Sequence, residues 1–309
     1  MNSSVEILDQ GMVRARWRLI SFVELMKPEL TGLSVLTSLC GFYLATISAF
    51  DFWLFLSTGI GTLLVGGGAG ALNQYVERDY DAMMRRTERR PLPAGRVSPA
   101  EVLWFGIILS LAGIVLLALG ANLLTGFLAT LTITTYLFLY TPLKRITPSA
   151  TLLGGIPGAL PPMMGWAAAR NEISLPSVML FAILFFWQIP HFHSLAWVYR
   201  KDYARAGFKM LTVLDDDGTR TSRQILMCAG ALLPVSTGLT LLGVTGYIYF
   251  IGAAILGIAF LIHGLLFAKA SGDVSAPSIA KSNLYSRRMF SASLLYLPAL
   301  MFLMAVDRV

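Results

Sequence analysis

A chain of 309 residues that is 56% hydrophobic and only 13% charged is too apolar for a water-soluble domain of that length. Its formal net charge of +7 needs no nucleic-acid partner, because the cations sit between apolar runs, where membrane topology and anionic lipid headgroups account for them. Cys40 and Cys228 both fall inside apolar runs with no C-x-x-C pair. They read as small buried hydrophobes and not as a redox or metal-binding pair.

Residues 1–27 form a basic segment in which Arg14, Arg16 and Arg18 alternate with Trp17, Leu19, Ile20 and Phe22, the composition of a helix lying in the headgroup region. It has no apolar cleavable signal region and no long Arg- and Ser-rich transit segment, which points to a bacterial cytoplasmic (inner) membrane. Residues 28–309 then read as one transmembrane domain. Nine apolar runs follow, at about 31–50, 52–72, 101–119, 121–141, 150–169, 175–198, 224–244, 246–268 and 289–306. Each approaches or exceeds the length that crosses the hydrocarbon core as a helix. With the N-terminus in the cytoplasm, all but Arg170 and Arg308 of the 24 Lys and Arg residues fall on the inner side, as the positive-inside rule requires. The expected fold is an all-α, polytopic bundle of about nine transmembrane helices. Its long polar stretches, 73–100, 199–223 and 269–288, share the cytoplasmic face. The first two follow spans two and six, which suggests two related four-helix halves plus one helix.

The first of these stretches opens with Asn73, Glu77 and Asp81 in the pattern N-x-x-x-E-x-x-x-D. Steps of four drift little around an α-helix, so the three oxygen-bearing side chains share one face, while Asp79 falls on the other. Two carboxylates and an amide oxygen suit Mg²⁺, which completes its shell with water and phosphate. Arg85, Arg86, Arg89 and Arg90 follow and can grip phosphate oxygens bidentately. The plain alternative is a solvated helix with i,i+4 ion pairs such as Asp81 with Arg85. Acids at the mouth of a membrane bundle are costly unless used, which favours a Mg²⁺–diphosphate site. The Gly-rich run at 66–70 lacks a following Gly-Lys-Ser/Thr, so it reads as close helix packing and not as a nucleotide loop.

Further along, Lys144 and Arg145 add inner-face cations, and Pro157, Pro161 and Pro162 predict an interrupted, irregular span beside an internal chamber. The sixth span ends with Trp187, His191 and His193 near its cytoplasmic end. Ionisable groups at that depth are functional candidates, although a spacing of two turns the histidines about 200° apart on a regular helix. Pro190 leaves that geometry open, and hydrogen bonding between helices is the bland alternative. Lone His263 reads as structural. The second polar stretch supplies Lys201, Asp202 and Tyr203; its Asp215-Asp216-Asp217-Gly218 run reads mainly as a turn and helix start.

The N-x-x-x-E-x-x-x-D series followed by Arg86, Thr87, Arg90, Pro91 and Leu92 resembles the first loop motif of UbiA-type intramembrane prenyltransferases. "YTPLKR" (140–145), "GGIPGALPPMMGW" (154–166), "WQIPHF" (187–192), "KDYARAGFKML" (201–211) and "SRRMFSASLLYLP" (286–298) are similar to its haem-farnesylating members. The resemblance runs from about residue 24 to 305. It departs from much of the superfamily in having Glu77 as the middle acid and in lacking an aspartate-rich second motif.

The resemblance implies farnesyl diphosphate and haem B as substrates and Mg²⁺ on Asn73, Glu77 and Asp81. Arg86, Arg90, Lys144 and Lys201 would hold diphosphate, with Asp202 as the acid of the second loop. Trp187, His191 and His193 would bind or position haem, and His191 is the one the family pattern singles out. It further implies contact with membrane lipids and with a haem A synthase or terminal oxidase assembly. Three other readings stay open on the residues alone. They are a prenyltransferase acting on an aromatic quinone precursor, a transporter, and a haem-binding assembly factor without turnover. The topology is testable directly. In a cysteine-free background, a membrane-impermeant maleimide should label Asp51→Cys in intact cells and Glu88→Cys only after lysis. The opposite pattern contradicts the orientation.

Overall fold

The computed structural model describes residues 17–47 and 49–309, so the first sixteen residues of the expected interfacial segment lie outside the described part. A helix over 17–25 (α1) turns at Lys27 into α2 (Pro28–Ala45), followed by α3 (Phe52–Asp81), α4 (Pro99–Gly120) and α5 (Leu123–Thr134). A π-helical segment, Thr135–Tyr140, leads into the single turn α6 (Thr141–Leu143). Then come α7 (Ala150–Arg170), α8 (Leu175–Val198), the short α9 (Arg200–Arg205) and α10 (Leu211–Leu214), and α11 (Thr219–Leu241), α12 (Tyr247–Lys269) and α13 (Ala276–Val306). Among the described residues there is no strand, only an isolated bridge between Thr245 and Arg308.

Seven of these helical stretches are long and apolar enough to cross a membrane, as befits a multi-pass membrane protein. α2 and α7 occupy the expected first and fifth spans but are less apolar. α7 is almost wholly buried between neighbours, so it has little lipid-facing surface to make hydrophobic. It also corrects an expectation, because the helix runs unbroken through Pro157, Pro161 and Pro162. Surrounding helices, among them α8 through Gln188 Nε2 donating to Gly155 O at 2.7 Å, supply packing that a lone Pro-rich helix would lack.

Lipid tails are as apolar as leucine, so helices in a bilayer associate through close contact and not through expulsion of water. Small residues mark the places where backbones touch. A Cβ on Gly41 would collide with Pro162 O, and one on Gly165 with Ser38 O, which locks α2 against α7. Gly68 faces Gly106 O and Ser110, and Gly113 faces Gly61 O, which joins α3 to α4. One apolar core joins α3, α4, α5 and α7; a larger one joins α2, α7, α8, α11, α12 and α13. α1 docks across the end of α3 and the start of α4 through Phe22 and Leu25, with ion pairs from Arg18 to Glu101 and from Arg96 to Glu24.

The α2–α7 crossing gives a stability test. Gly165→Ala should destabilise the folded protein by about 1–3 kcal/mol through overpacking. Gly230→Ala, where nothing lies within 4 Å of the added carbon, should leave stability level or slightly raised. Thermal unfolding in detergent reads both, and the reverse order contradicts this packing.

Candidate functional site

α3 continues as helix past its apolar part, and its last two turns carry Asn73, Glu77 and Asp81 inward, at 1%, 6% and 0% exposure. Asp79 lies outside, against Arg78. A buried carboxylate is tolerated only with a partner, and each residue of the row has a cation of its own. Lys27 Nζ donates to Asn73 Oδ1 at 2.6 Å. Lys144 Nζ meets Glu77 Oε1 at 2.9 Å, and Arg90 meets Asp81 Oδ2 at 2.6 Å. Arg85 is not the partner of Asp81, so the row is not a helix surface with internal i,i+4 pairs.

Local backbone irregularities aim these cations. Lys27 is one of the described non-glycine residues at positive φ, 50°, squeezed between α1 and Pro28. The π-helical segment re-aims the residues beyond it, as such segments often do at functional positions. It sets Thr141 against Asn73 Nδ2 at 3.4 Å and Lys144 over the Tyr140 ring at 4.4 Å. The first loop folds back through Thr87, whose hydroxyl donates to Asp81 O at 2.8 Å.

Three cations facing two carboxylates leave a surplus of positive charge, and it falls on the cation whose partner is a neutral amide. Burial pushes the Lys27 ammonium down to about 7; repulsion from Arg90 and Lys144 adds to this, against attraction from Glu77 and Asp81. Burial also acts on Lys144, but Glu77 outweighs it and holds the ammonium above its ordinary range. The donor set suits a hard cation. Asp81 Oδ1 is buried without any partner, and the row offers only oxygen. Among the described residues no three Cys, His, Asp or Glu side chains cluster, so a divalent ion here would rely on two carboxylates, an amide and its own phosphate or water ligands.

Trp187 and His191 come together, and His193 parts from them. His191 stacks between Trp187 (5.1 Å between ring centroids) and Phe290 (4.9 Å). Its Nδ1 lies 2.7 Å from Ser293 Oγ. That hydroxyl donates its one hydrogen to Phe290 O, so toward His191 it must accept. The proton therefore sits on Nδ1, and Nε2, which has no partner among the described residues, keeps its lone pair. His193 is fully buried on another face of α8, with Nε2 at 2.8 Å from Gln224 Oε1 of α11. His263 bonds its own helix at Ala259 O.

Of the other expected residues, Arg86 donates to Tyr203 Oη at 3.0 Å and lies over the Tyr199 and Tyr203 rings. This ties the first loop to the second. Asp202 pairs with Arg205 at 3.2 Å. Lys201 lines a separate cleft and is not joined to the acid row. Asp215 and Asp217 accept from backbone N–H groups at the start of α11, a structural use. Sequence reasoning counted Lys27 only as a topology marker and missed Ser293. A Lys-Pro pair at the edge of a span, and serines at four- and seven-residue steps on α13 (Ser278, Ser282, Ser286, Ser293), were the available signals.

Comparison with known proteins places this arrangement. Residues 34–294 match the UbiA prenyltransferase family. A protoheme IX farnesyltransferase of Solibacter usitatus is 43% identical over 296 residues, covering 93% of this chain and 98% of that one. A protein of the same name from Salinibacter ruber is 42% identical over 286 residues, with 93% and 98% coverage. Among solved structures, a study of digeranylgeranylglyceryl phosphate synthase aligns with a TM-score of 0.76 at 18% identity, covering 94% of this chain and 99% of that one. A UbiA homologue from Archaeoglobus fulgidus bound to DMAPP and Mg²⁺ aligns at 0.65 and 14%, with 90% and 99% coverage. At such identities the two structures speak for the fold.

The tautomer deduced for His191 can be observed. The chain has three histidines, so ¹⁵N-histidine NMR of the detergent-solubilised protein should resolve a ring protonated at Nδ1 and bare at Nε2. Ser293→Ala should shift that ring toward the other tautomer, and Ser293→Thr should keep it. An unchanged ring in Ser293→Ala contradicts the assignment.

Proposed function

The chain belongs to the UbiA prenyltransferase family, and on that premise we propose that it converts haem B to haem O by transferring farnesyl from farnesyl diphosphate to a haem vinyl group. The C1–O bond of farnesyl diphosphate breaks, and its electron pair leaves on diphosphate. The vinyl π electrons form the new bond to farnesyl C1. Water adds to the resulting carbocation and loses a proton, which leaves the hydroxyethylfarnesyl side chain. The observation that carries this reading is the row of Asn73, Glu77 and Asp81, each matched by a cation able to change partners. Its support in relatedness is 42–43% identity over most of the chain to proteins named protoheme IX farnesyltransferase.

Asn73, Glu77 and Asp81 would hold Mg²⁺, which when bound offsets the charge of the departing diphosphate. Arg90 and Lys144 would turn from Asp81 and Glu77, and Lys27 from the Asn73 amide, to the diphosphate oxygens, so that carboxylates passed to the metal leave no cation without a partner. Arg86 extends the cationic rim, while its bond to Tyr203 holds the two loops together around the leaving group. The apolar walls of α2, α7, α8 and α13 suit the farnesyl chain and the porphyrin body. His191, flanked by Trp187 and Phe290, would present Nε2 to haem as an iron ligand or hydrogen-bond acceptor. His193 supports α8 from behind. Lys201 and Asp202 belong to the second loop that closes over the cytoplasmic mouth.

The same reading places residues 28–309 as one catalytic membrane domain in a bacterial inner membrane, with α1 and the residues before it along the cytoplasmic headgroups. Product would pass to a haem A synthase or a terminal oxidase assembly. Purified enzyme given haem B, farnesyl diphosphate and Mg²⁺ should yield haem whose mass rises by one farnesyl group and one hydroxyl group, and chelation of Mg²⁺ should stop it. Glu77→Gln and Asp81→Asn should each lower turnover by about 100-fold or more, the scale of losing an electrostatic catalytic group. Consumption of 4-hydroxybenzoate with haem ignored would contradict the acceptor. Full turnover in both variants would contradict the metal row.

A further inference from the structure

The cytoplasmic ends of α8 and α13 enclose a cleft of about 310 Å³, lined by Arg85, Trp197, Arg200, Lys201, Asp202 and Asn283 among others. Its charge is unbalanced. Asp202 already pairs with Arg205, while Arg85, Arg200 and Lys201 take part in no ion pair among the described residues. The guanidinium carbon of Arg200 lies over the Trp197 ring, 4.3 Å from its centroid, a contact made through the carbon that leaves N–H groups to donate elsewhere. Trp197 is 1% exposed, and its indole N–H has no acceptor among the described residues, a cost that a ligand oxygen would relieve. Unpaired cations and an unmatched donor describe a site for an oxyanion.

The walls say which oxyanion. α8 and α13 are the helices that bring Trp187, His191, Phe290 and Ser293 together, tied by Trp187 Nε1 donating to Ser293 O and by Ser286 Oγ donating to Ser194 O. On α13, Asn283, Ser286, Phe290 and Ser293 follow one another at steps of three and four and share a face. Asn283 and Phe290, seven residues apart, are about 10 Å apart along the axis. A flat apolar ring held at the His191 level would therefore direct one polar edge into the cleft. Diphosphate already has Lys27, Arg90 and Lys144, and the cleft offers no free carboxylate for the metal that accompanies it.

We propose that this cleft binds the two propionate carboxylates of haem, with Arg85, Arg200 and Lys201 as their partners. This rests on haem being the acceptor, and it moves Lys201 from the diphosphate to the haem side of the site.

The test uses full-length enzyme in nanodiscs of neutral lipid, titrated with haem and with haem dimethyl ester by Soret absorbance. Arg200→Gln and Lys201→Gln should each weaken haem about tenfold, the usual scale for a lost charge-assisted bond. They should leave the ester, and farnesyl diphosphate with Mg²⁺, unaffected. Unchanged haem affinity, or equal losses for haem and ester, overturns the proposal. A selective loss of farnesyl diphosphate affinity also overturns it, by assigning the cleft to diphosphate. Added phosphatidylglycerol that displaces haem from the wild type but not from Lys201→Gln overturns it too, by making the cleft a lipid headgroup site. If Arg200→Gln binds neither substrate, Arg200→Lys takes its place and must bind haem more tightly than Lys201→Gln does. Wild-type enzyme that prenylates another acceptor and binds neither porphyrin removes the haem reading itself, which the variants alone cannot do.

Discussion

Two carboxylates and an amide are buried at the end of a membrane helix, and the segments around them are arranged so that none stands alone. Glu77 and Asp81 could not be carried into that position uncompensated, because breaking one buried pair costs about 3–5 kcal/mol. The compensation comes from far along the chain: Lys27 before α2, Arg90 in the first loop, Lys144 after α6. The positive φ of Lys27 and the π-helical segment before Thr141 are the backbone irregularities that let these cations converge. An arrangement of ions that satisfies itself without ligand, yet holds more positive than negative charge, is poised to accept an anion together with a metal.

The site then has two sides with different chemistry. The α3 side deals with charge in a small volume, where acids and cations can exchange partners. The α8–α13 side offers stacked rings, an imidazole whose tautomer is set by Ser293, and a basic cleft where α8 ends and α13 begins. Arg86 on Tyr203 and the backbone bond from Lys209 N to Lys144 O at 2.9 Å join the two sides through the loops. Both proposed substrates carry anionic groups on an apolar body. An oily bundle with a cationic mouth suits them for the same physical reason: water reaches the charges and not the reacting carbons.

Much of this was legible in the sequence, where periodicity or charge carried it. The four-residue spacing set Asn73, Glu77 and Asp81 on one face and Asp79 on the other because a helix repeats in 3.6 residues whatever surrounds it. Apolar runs and the asymmetry of Lys and Arg gave the bundle. What periodicity cannot carry is pairing across the fold. Lys27 looked like any inner-face cation until the turn at Pro28 aimed it at Asn73, and Ser293 looked like a small helix-packing residue until it met His191. Proline content misled at α7, since packing by neighbours overrode a local preference. Neither the grouping of Lys201 with Arg85 and Arg200 nor the parting of the two histidines has a local signature beyond the 200° between adjacent-but-one helix positions.

The exchange of partners at the α3 row is the centre of this account, and a structure of the enzyme with Mg²⁺ and a non-hydrolysable farnesyl thiolodiphosphate examines it most directly. The account predicts Mg²⁺ on Glu77 and Asp81, with Lys144 and Arg90 turned from these acids onto the diphosphate oxygens. Both ion pairs intact, with diphosphate bound elsewhere, would contradict it.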